Sequence, residues 1–191
     1  MKRGLLAIFL MCTSSGFAQP MTVDLRYIDD PASQSISYHV HHQLTWNDFN
    51  DQPDESSTAS ALTTAGFGYS FRFSSNGVKS TLSILVHCSF LKSKSWVKPE
   101  KNTDYILTHE QHHFDIPYIC TMKFMQMIRL EKLTPENYQG VVTRIYTDCF
   151  NEMNRLQDEY DSQTQHSIIP EQQASWNKKI GKMLEEWVHS D

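Results

Sequence analysis

The spacing of hydrophobic residues changes at Pro99, and this change indicates a sheet followed by helices. Before Pro99, apolar residues alternate with small or polar ones over residues 67–73 and 78–90, and Asn76-Gly77 lies between the two runs. Such alternation indicates strands with one buried face, and Asn-Gly is typical of a hairpin turn. Residues 35–42 alternate more loosely and predict a further strand. The sequence therefore predicts a small antiparallel sheet.

After Pro99 the pattern becomes helical in three segments. The first is capped at Asn102 or Thr103 and runs to about residue 130, with Pro117 inside it as an expected kink. The second begins at Thr134-Pro135-Glu136, a capping hydroxyl followed by proline and an acid, and runs to about Tyr160. The third begins at Pro170. Together these segments predict an α+β domain in which the sheet packs on the first helix and two further helices follow.

The first residues resemble a secretory signal peptide. Lys2 and Arg3 precede an apolar run over residues 5–11, and Gly16-Phe17-Ala18 has the small residues of a cleavage site. We therefore expect a signal peptide over residues 1–18 and one domain over 19–191, secreted or periplasmic and without a membrane span. The net charge of −5, with no stripe of basic residues, argues against nucleic acid as a partner.

The stretch His109-Glu110-Gln111-His112-His113 has the pattern H-E-x-x-H in the first predicted helix. Four residues on a helix turn about 400°, so His109 and His113 lie on one face and can share a metal ion, typically zinc. Glu110, about 100° around the helix, can reach a water there and act as general base. The alternative is a solvent-facing helix that carries two histidines by chance.

A short loop near residue 134 makes the first two helices antiparallel neighbours, so residues whose numbers sum to about 269 face each other. Cys120 then faces Cys149, which predicts a disulfide between them, with two separate buried thiols as the alternative. The end of the second helix approaches the histidines. It offers three candidates for a third metal ligand, between which spacing does not choose: Glu159, Asp161 and His166.

Four ordered motifs resemble a bacterial family of predicted secreted zinc-dependent proteases, first catalogued as a domain of unknown function. The motifs cover most of the predicted mature chain. They are Leu44-Thr45-Trp46-Asn47-Asp48-Phe49, Ser95-Trp96-Val97, His109-Glu110-Gln111-His112-His113-Phe114-Asp115-Ile116, and Tyr160-Asp161-Ser162-Gln163-Thr164-Gln165-His166, the last followed by Gln173 and Trp176. The chain departs from the family pattern at His112, Pro117 and Ser167, none of which is a proposed ligand.

The resemblance implies a zincin-like, zinc-dependent metallopeptidase acting on a peptide or protein. It favours His166 as the third zinc ligand beside His109 and His113, with Asp161 or Glu159 as alternatives. Tyr160 becomes a candidate donor to the developing oxyanion, against a plain packing role. Because zincins hold extended peptides at a sheet edge, the strand over residues 78–90 is the expected substrate edge. Two other functions remain open: a zinc module that binds a partner without cleaving it, and a zinc amidase acting on cell-wall peptides.

Overall fold

The protein is an α+β domain with a small mixed sheet and three helices. The computed structural model describes residues 21–32, 34–40 and 42–188, with the side chain of residue 188 left out; the predicted signal peptide lies outside these residues. The strands are β1 (Met21–Tyr27), β2 (Ser35–Ser37), β3 (Ala61–Leu62), β4 (Ala65–Ser75), β5 (Ser80–Leu91) and β6 (Trp96–Val97). The helices are α1 (Asp104–Leu130), α2 (Tyr138–Thr164) and α3 (Pro170–Val188).

The main sheet is mixed, so the prediction of a purely antiparallel sheet is wrong. β1 pairs with β5 in parallel, whereas β2 and β4 pair with β5 antiparallel. A parallel neighbour arises because the chain travels through β2, β3 and β4 between β1 and β5. The prediction that residues 78–90 form a free edge is also wrong, since β5 has β4 on one side and β1 and β2 on the other.

The predicted hairpin is confirmed as β4 and β5, which pair from Ala65↔Phe90 to Ser75↔Ser80. Gly77 adopts φ +82 in the turn, a conformation that glycine enters at little cost. The inward side chains of β5 are fully buried against the helices: Leu82, Ile84, Val86, Cys88 and Phe90. This face fixes the position of α1, which packs on both β4 and β5.

The first helix begins where the sequence predicts. Thr103 is the N-cap, and its hydroxyl accepts a hydrogen bond from Ile106 N at 3.3 Å. α1 continues through Pro117 to Leu130 as one helix. α2 begins at Tyr138, later than predicted, because Thr134 N is bonded to the Asn137 side chain in a preceding turn. It also ends later, at Thr164.

The predicted disulfide is absent: Cys120 and Cys149 are buried free thiols, as is Cys88. The helices do face each other as the fold-back predicts, since Tyr160 stacks on His109 at 4.5 Å between ring centroids. The Cys149 thiol, however, contacts Met127 Sδ at 3.9 Å. Within residues 21–32, 34–40 and 42–188, no helix has the length and apolar character needed to cross a bilayer.

Candidate metal centre

Two histidines of α1 form the base of the site. His109 and His113 are four residues apart on the helix, and their Nε2 atoms lie 3.1 Å from each other. His109 is buried, and His113 lies in the wall of an open cavity. The sequence prediction that these two imidazoles share one helix face is confirmed.

The last turn of α2 adds a carboxylate. Asp161 Oδ1 lies 3.2 Å from His109 Nε2 and 3.0 Å from His113 Nε2. Tetrahedral zinc with bonds of about 2.0–2.1 Å separates its ligand atoms by about 3.3–3.4 Å, close to the spacing of these three atoms. His109, His113 and Asp161 therefore form a group that could hold a metal ion.

Each histidine is oriented by a glutamine on its other ring nitrogen. His109 Nδ1 lies 2.9 Å from Gln173 Oε1 on α3, and His113 Nδ1 lies 2.5 Å from Gln157 Oε1 on α2. An amide oxygen only accepts, so each Nδ1 carries the proton and donates it. When neutral, both rings then present a lone pair on Nε2 to the centre of the group, as metal-binding imidazoles do.

Glu110 is buried beside this group, with 4% of its surface exposed. It is one of the residues lining the cavity, and its Oε2 atom is buried without any hydrogen-bond partner. A buried carboxylate oxygen without a partner is costly, and such atoms concentrate where a water, ion or substrate belongs. The site thus has one polar atom that the described chain leaves unsatisfied beside a metal-capable triad.

The cavity in front of the triad has a volume of about 270 Å³. One wall is the segment over residues 59–63, which contains β3, and Ile106 of α1 adds an apolar side chain. Thr63 Oγ1 donates to the carbonyl of Glu110 at 3.2 Å, which holds this segment against the helix. The site is therefore an open cleft between a short strand and the metal-capable group.

His166 lies beside Asp161 and lines the same cavity. Its Nδ1 is 3.3 Å from Asp161 Oδ1, and 58% of its side chain is exposed. It is not among the three residues whose ligand atoms lie within 4.8 Å of one another. Gln165, His166 and Ser167 all have positive φ, between 48° and 70°, and this left-handed turn sets the position of the ring. Its role as third ligand stays a prediction.

The other two candidates, Glu159 and Tyr160, are not part of the triad. Glu159 bonds Arg155 on the same helix and stands outside the group, although it also stays untested as a ligand. Tyr160 is fully buried, and its hydroxyl donates to the carbonyl of His109 at 3.4 Å and accepts from Gln173 at 2.5 Å. It does not line the cavity, so its position fits packing beneath the histidines.

The electrostatics of the triad favour a carboxylate and a protonated ring when no metal is bound. Burial opposes the charge on His113, but the hydrogen bond that its Nε2 donates to Asp161 and the charge of Glu110 raise the pKa of His113 to about 9. Burial alone would raise the pKa of Asp161, but its polar contacts with His109 and His113 and the charge of His113 hold that pKa far below its usual range. The proton on His113 thus occupies the position that a cation would take.

A buried chain of hydrogen bonds leads from His109 across α3. Gln173 Nε2 donates to Asn177 Oδ1 at 2.7 Å, and His112 Nε2 lies 3.0 Å from the same oxygen. His112 Nδ1 lies 2.7 Å from Asp115 Oδ2. Because the Gln173 amide group donates to Asn177 and to Tyr160, its oxygen is the atom left to face His109.

Sequence reasoning did not find Gln157 or Asn177. Gln157 lies four residues before Asp161 and thus on the same face of α2, a spacing that marks it as a neighbour of the ligand. Asn177 stands in the same relation to Gln173, which the family motif did include. The four-residue spacing could have predicted Gln157 once Asp161 was assigned to the site, and Asn177 once Gln173 was.

Comparisons with known proteins add nothing to these assignments. No protein-family model matches the chain, and neither a curated protein nor a solved structure matches it. The resemblance to predicted secreted zinc proteases stays a prediction from motifs, and the assignment of function depends on the geometry of the site.

Proposed function

We propose that this protein is a secreted or periplasmic zinc-dependent metallopeptidase with a zincin-like site. The observation that carries the proposal is the unpartnered, buried Oε2 of Glu110 in the same cavity as His109, His113 and Asp161. A triad that served only to stabilise the fold would need no buried carboxylate without a partner beside it. A hydrolase needs one, as the group that accepts a proton from water.

Zinc fits the donor set of the site. Two imidazoles and one carboxylate are the ligands of many catalytic zinc sites, which keep one further position open. The cavity supplies that open side, and the two glutamines leave both Nε2 atoms free for the metal. Bound zinc would supply Lewis acidity toward water and a substrate carbonyl. His166, next to Asp161, is available as a further ligand or as a hydrogen-bond donor to the carboxylate.

Glu110 acts as the general base in this proposal. Its carboxylate is held by α1 one residue after His109, and it faces the cavity from the helix that carries both histidines. Its free oxygen accepts the proton of the attacking water and can return it to the leaving amine. Gln157 and Gln173 keep the histidines oriented, and the burial of Glu110 excludes bulk water from its free oxygen.

An extended peptide fits along β3. Lys98 N donates to the carbonyl of Ser60 at 2.9 Å, so Ser60 and Lys98 are a hydrogen-bonded pair at the end of the antiparallel β3–β6 ladder. Backbone groups alternate in direction along a strand, so the N–H and C=O of Ala61 point away from β6. Residues 59–63 line the cavity, and Leu62, with 45% of its surface exposed, offers an apolar contact. We infer that a substrate strand pairs here.

The test is hydrolysis by Glu110→Gln against a matched Glu152→Gln control. Glu152 is a partly exposed glutamate of α2 that bonds Lys123 and lies outside the metal group and its cavity. With zinc-loaded protein and an unfolded protein mixture as substrate, Glu110→Gln should lose activity by about 10²- to 10⁴-fold and keep its zinc. Glu152→Gln should keep both zinc and activity.

Three outcomes would contradict the peptidase proposal. Full hydrolysis by zinc-loaded Glu110→Gln would show that the base is another group. Bound zinc with no turnover on any peptide would favour a module that binds a partner. Cleavage of peptidoglycan fragments without cleavage of unfolded protein would favour an amidase acting on cell-wall peptides.

A further inference from the structure

Pro117 removes one backbone hydrogen bond from the middle of α1, directly after the metal-binding turn. In an unbroken helix the N–H of residue 117 would donate to the carbonyl of His113, and proline has no N–H. That carbonyl instead accepts a hydrogen bond from Gln157 Nε2 of α2, at 2.9 Å. The helix nevertheless continues to Leu130, so the freed carbonyl is an isolated acceptor inside a regular helix.

The same glutamine bonds the imidazole of His113. Gln157 Oε1 lies 2.5 Å from His113 Nδ1, so one side chain bonds both the backbone and the ring of a single residue. The amide has one donating end and one accepting end. Because the carbonyl of His113 engages the donating end, the oxygen has to face the ring. The ring must then carry its proton on Nδ1, which leaves Nε2 for the metal.

We propose that Pro117 is a positioning residue for the metal site: by freeing the His113 carbonyl it orients the Gln157 amide, and through it the His113 ring. The inference rests on the proposed metal site but not on peptidase activity. Proline inside a helix normally weakens it, and Pro117 is buried among the residues that pack α1 on the core. Pro117 thus lowers the stability of the helix and at the same time keeps the His113 ring oriented for a metal ion.

An alanine at this position separates the two effects. Pro117→Ala restores an N–H that can donate to the His113 carbonyl. This N–H competes with Gln157 for the carbonyl and favours the regular hydrogen bond of the helical turn. The metal-free variant should melt at a higher temperature because the helix regains a hydrogen bond. Its zinc affinity should nevertheless fall. A residue that only packed the core would not combine a higher melting temperature with weaker zinc binding.

The experiment is a double-mutant cycle on zinc affinity, measured by competition with a chromophoric chelator. Gln157→Leu should weaken zinc binding about 10- to 100-fold, as loss of a ligand's outer partner typically does. Pro117→Ala should weaken it by a smaller factor, since a carbonyl can accept two donors. In the Gln157→Leu background, Pro117→Ala should have no further effect. Ile119→Val is the control, a buried change on the same helix that should lower stability without altering zinc affinity.

Two results would overturn the inference. The first is that Pro117→Ala lowers zinc affinity by the same factor in the wild-type and Gln157→Leu backgrounds. The second is that Gln157→Leu weakens zinc binding but Pro117→Ala does not. If the wild type takes up no zinc, the peptidase proposal fails, and the inference is still tested by NMR of the metal-free protein. The Nδ1 proton of His113 should exchange slowly with water in the wild type and fast in Gln157→Leu and Pro117→Ala. Unchanged protection in Pro117→Ala would refute it.

Discussion

Metal binding to this site should release a proton from His113 at neutral pH. In the metal-free protein the Nε2 of His113 donates to Asp161 Oδ1 at 3.0 Å, and the pKa of the ring is raised to about 9. A metal ion takes the place of that proton. At pH 7 about 99% of the rings are protonated, so the apparent affinity should be about 100-fold, or ~2.7 kcal/mol, below its value with the ring neutral.

The sign of the pH dependence follows from the direction of each shift. Asp161 has a lowered pKa and stays ionised above the acid range, so it adds no slope near neutrality. Metal affinity should therefore rise about tenfold per pH unit from pH 6 to 8 and level off near pH 9. The stability of the metal-free protein should change in the opposite sense. The protonated His113 contributes fully below the ordinary histidine pKa of 6.5, and that contribution is lost as the pH rises through about 9.

Calorimetry in two buffers of different ionisation enthalpy counts the protons released at pH 7, and we expect about one from His113. NMR titration of the ring in the metal-free protein checks the cause, because Asp161→Asn should lower the pKa of His113 toward its ordinary value. Zinc binding that releases no proton at pH 7, with an affinity independent of pH between 6 and 8, would contradict this role of His113.

Two further predictions concern α3 and the start of α1. Asn177→Leu removes the acceptor that holds the Gln173 amide, so zinc affinity should fall about tenfold. Asn177→Asp keeps an acceptor and should retain the wild-type affinity. Equal losses of affinity in both variants would contradict this role of Asn177. Thr103→Ala removes the N-cap bond to Ile106, which should cost about 1 kcal/mol and lower the melting temperature by about 2–4 °C. Zinc affinity should stay unchanged in Thr103→Ala, and a large loss would mean that the cap supports the site directly.

Local signals predicted the elements that local interactions define. Thr103 has the hydroxyl of an N-cap, and Asn76-Gly77 has the chemistry of a hairpin turn, so both elements start or turn where the sequence indicates. The pair His109 and His113 needs only the period of a helix to share a face. Pro117 differs from these residues, because the hydrogen bond that satisfies the freed His113 carbonyl comes from Gln157, which lies on another helix.

Local sequence patterns did not predict the features that depend on contacts between segments far apart in the chain. No residue of β1 is fully buried, and Val23 is 38% exposed, so the alternation of β1 is weak. Its parallel pairing with β5 is a property of the chain path. The disulfide prediction placed Cys120 and Cys149 on facing helices but could not show that the Cys149 thiol points to Met127. Which residue completes the metal group depends on where α2 ends.

The end of α2 determines where Asp161 and His166 lie relative to the two histidines. The helix runs to Thr164, so Asp161 stays on the helical face below the two histidines. His166 follows in a left-handed turn that no glycine marks, and its ring reaches Asp161 from the open side of the cavity. Three successive non-glycine residues with positive φ are rare, so sequence alone gave no reason to expect this turn.

Elemental analysis of purified, zinc-loaded protein should show whether this site holds zinc, with the wild type, Asp161→Ala and His166→Ala compared. We expect about one zinc per wild-type chain, a marked loss in Asp161→Ala and retention in His166→Ala, because Asp161, and not His166, belongs to the compact group with His109 and His113. Zinc retained by Asp161→Ala and lost from His166→Ala would make His166 the third ligand. A wild-type protein that takes up no zinc would contradict the proposed zinc site.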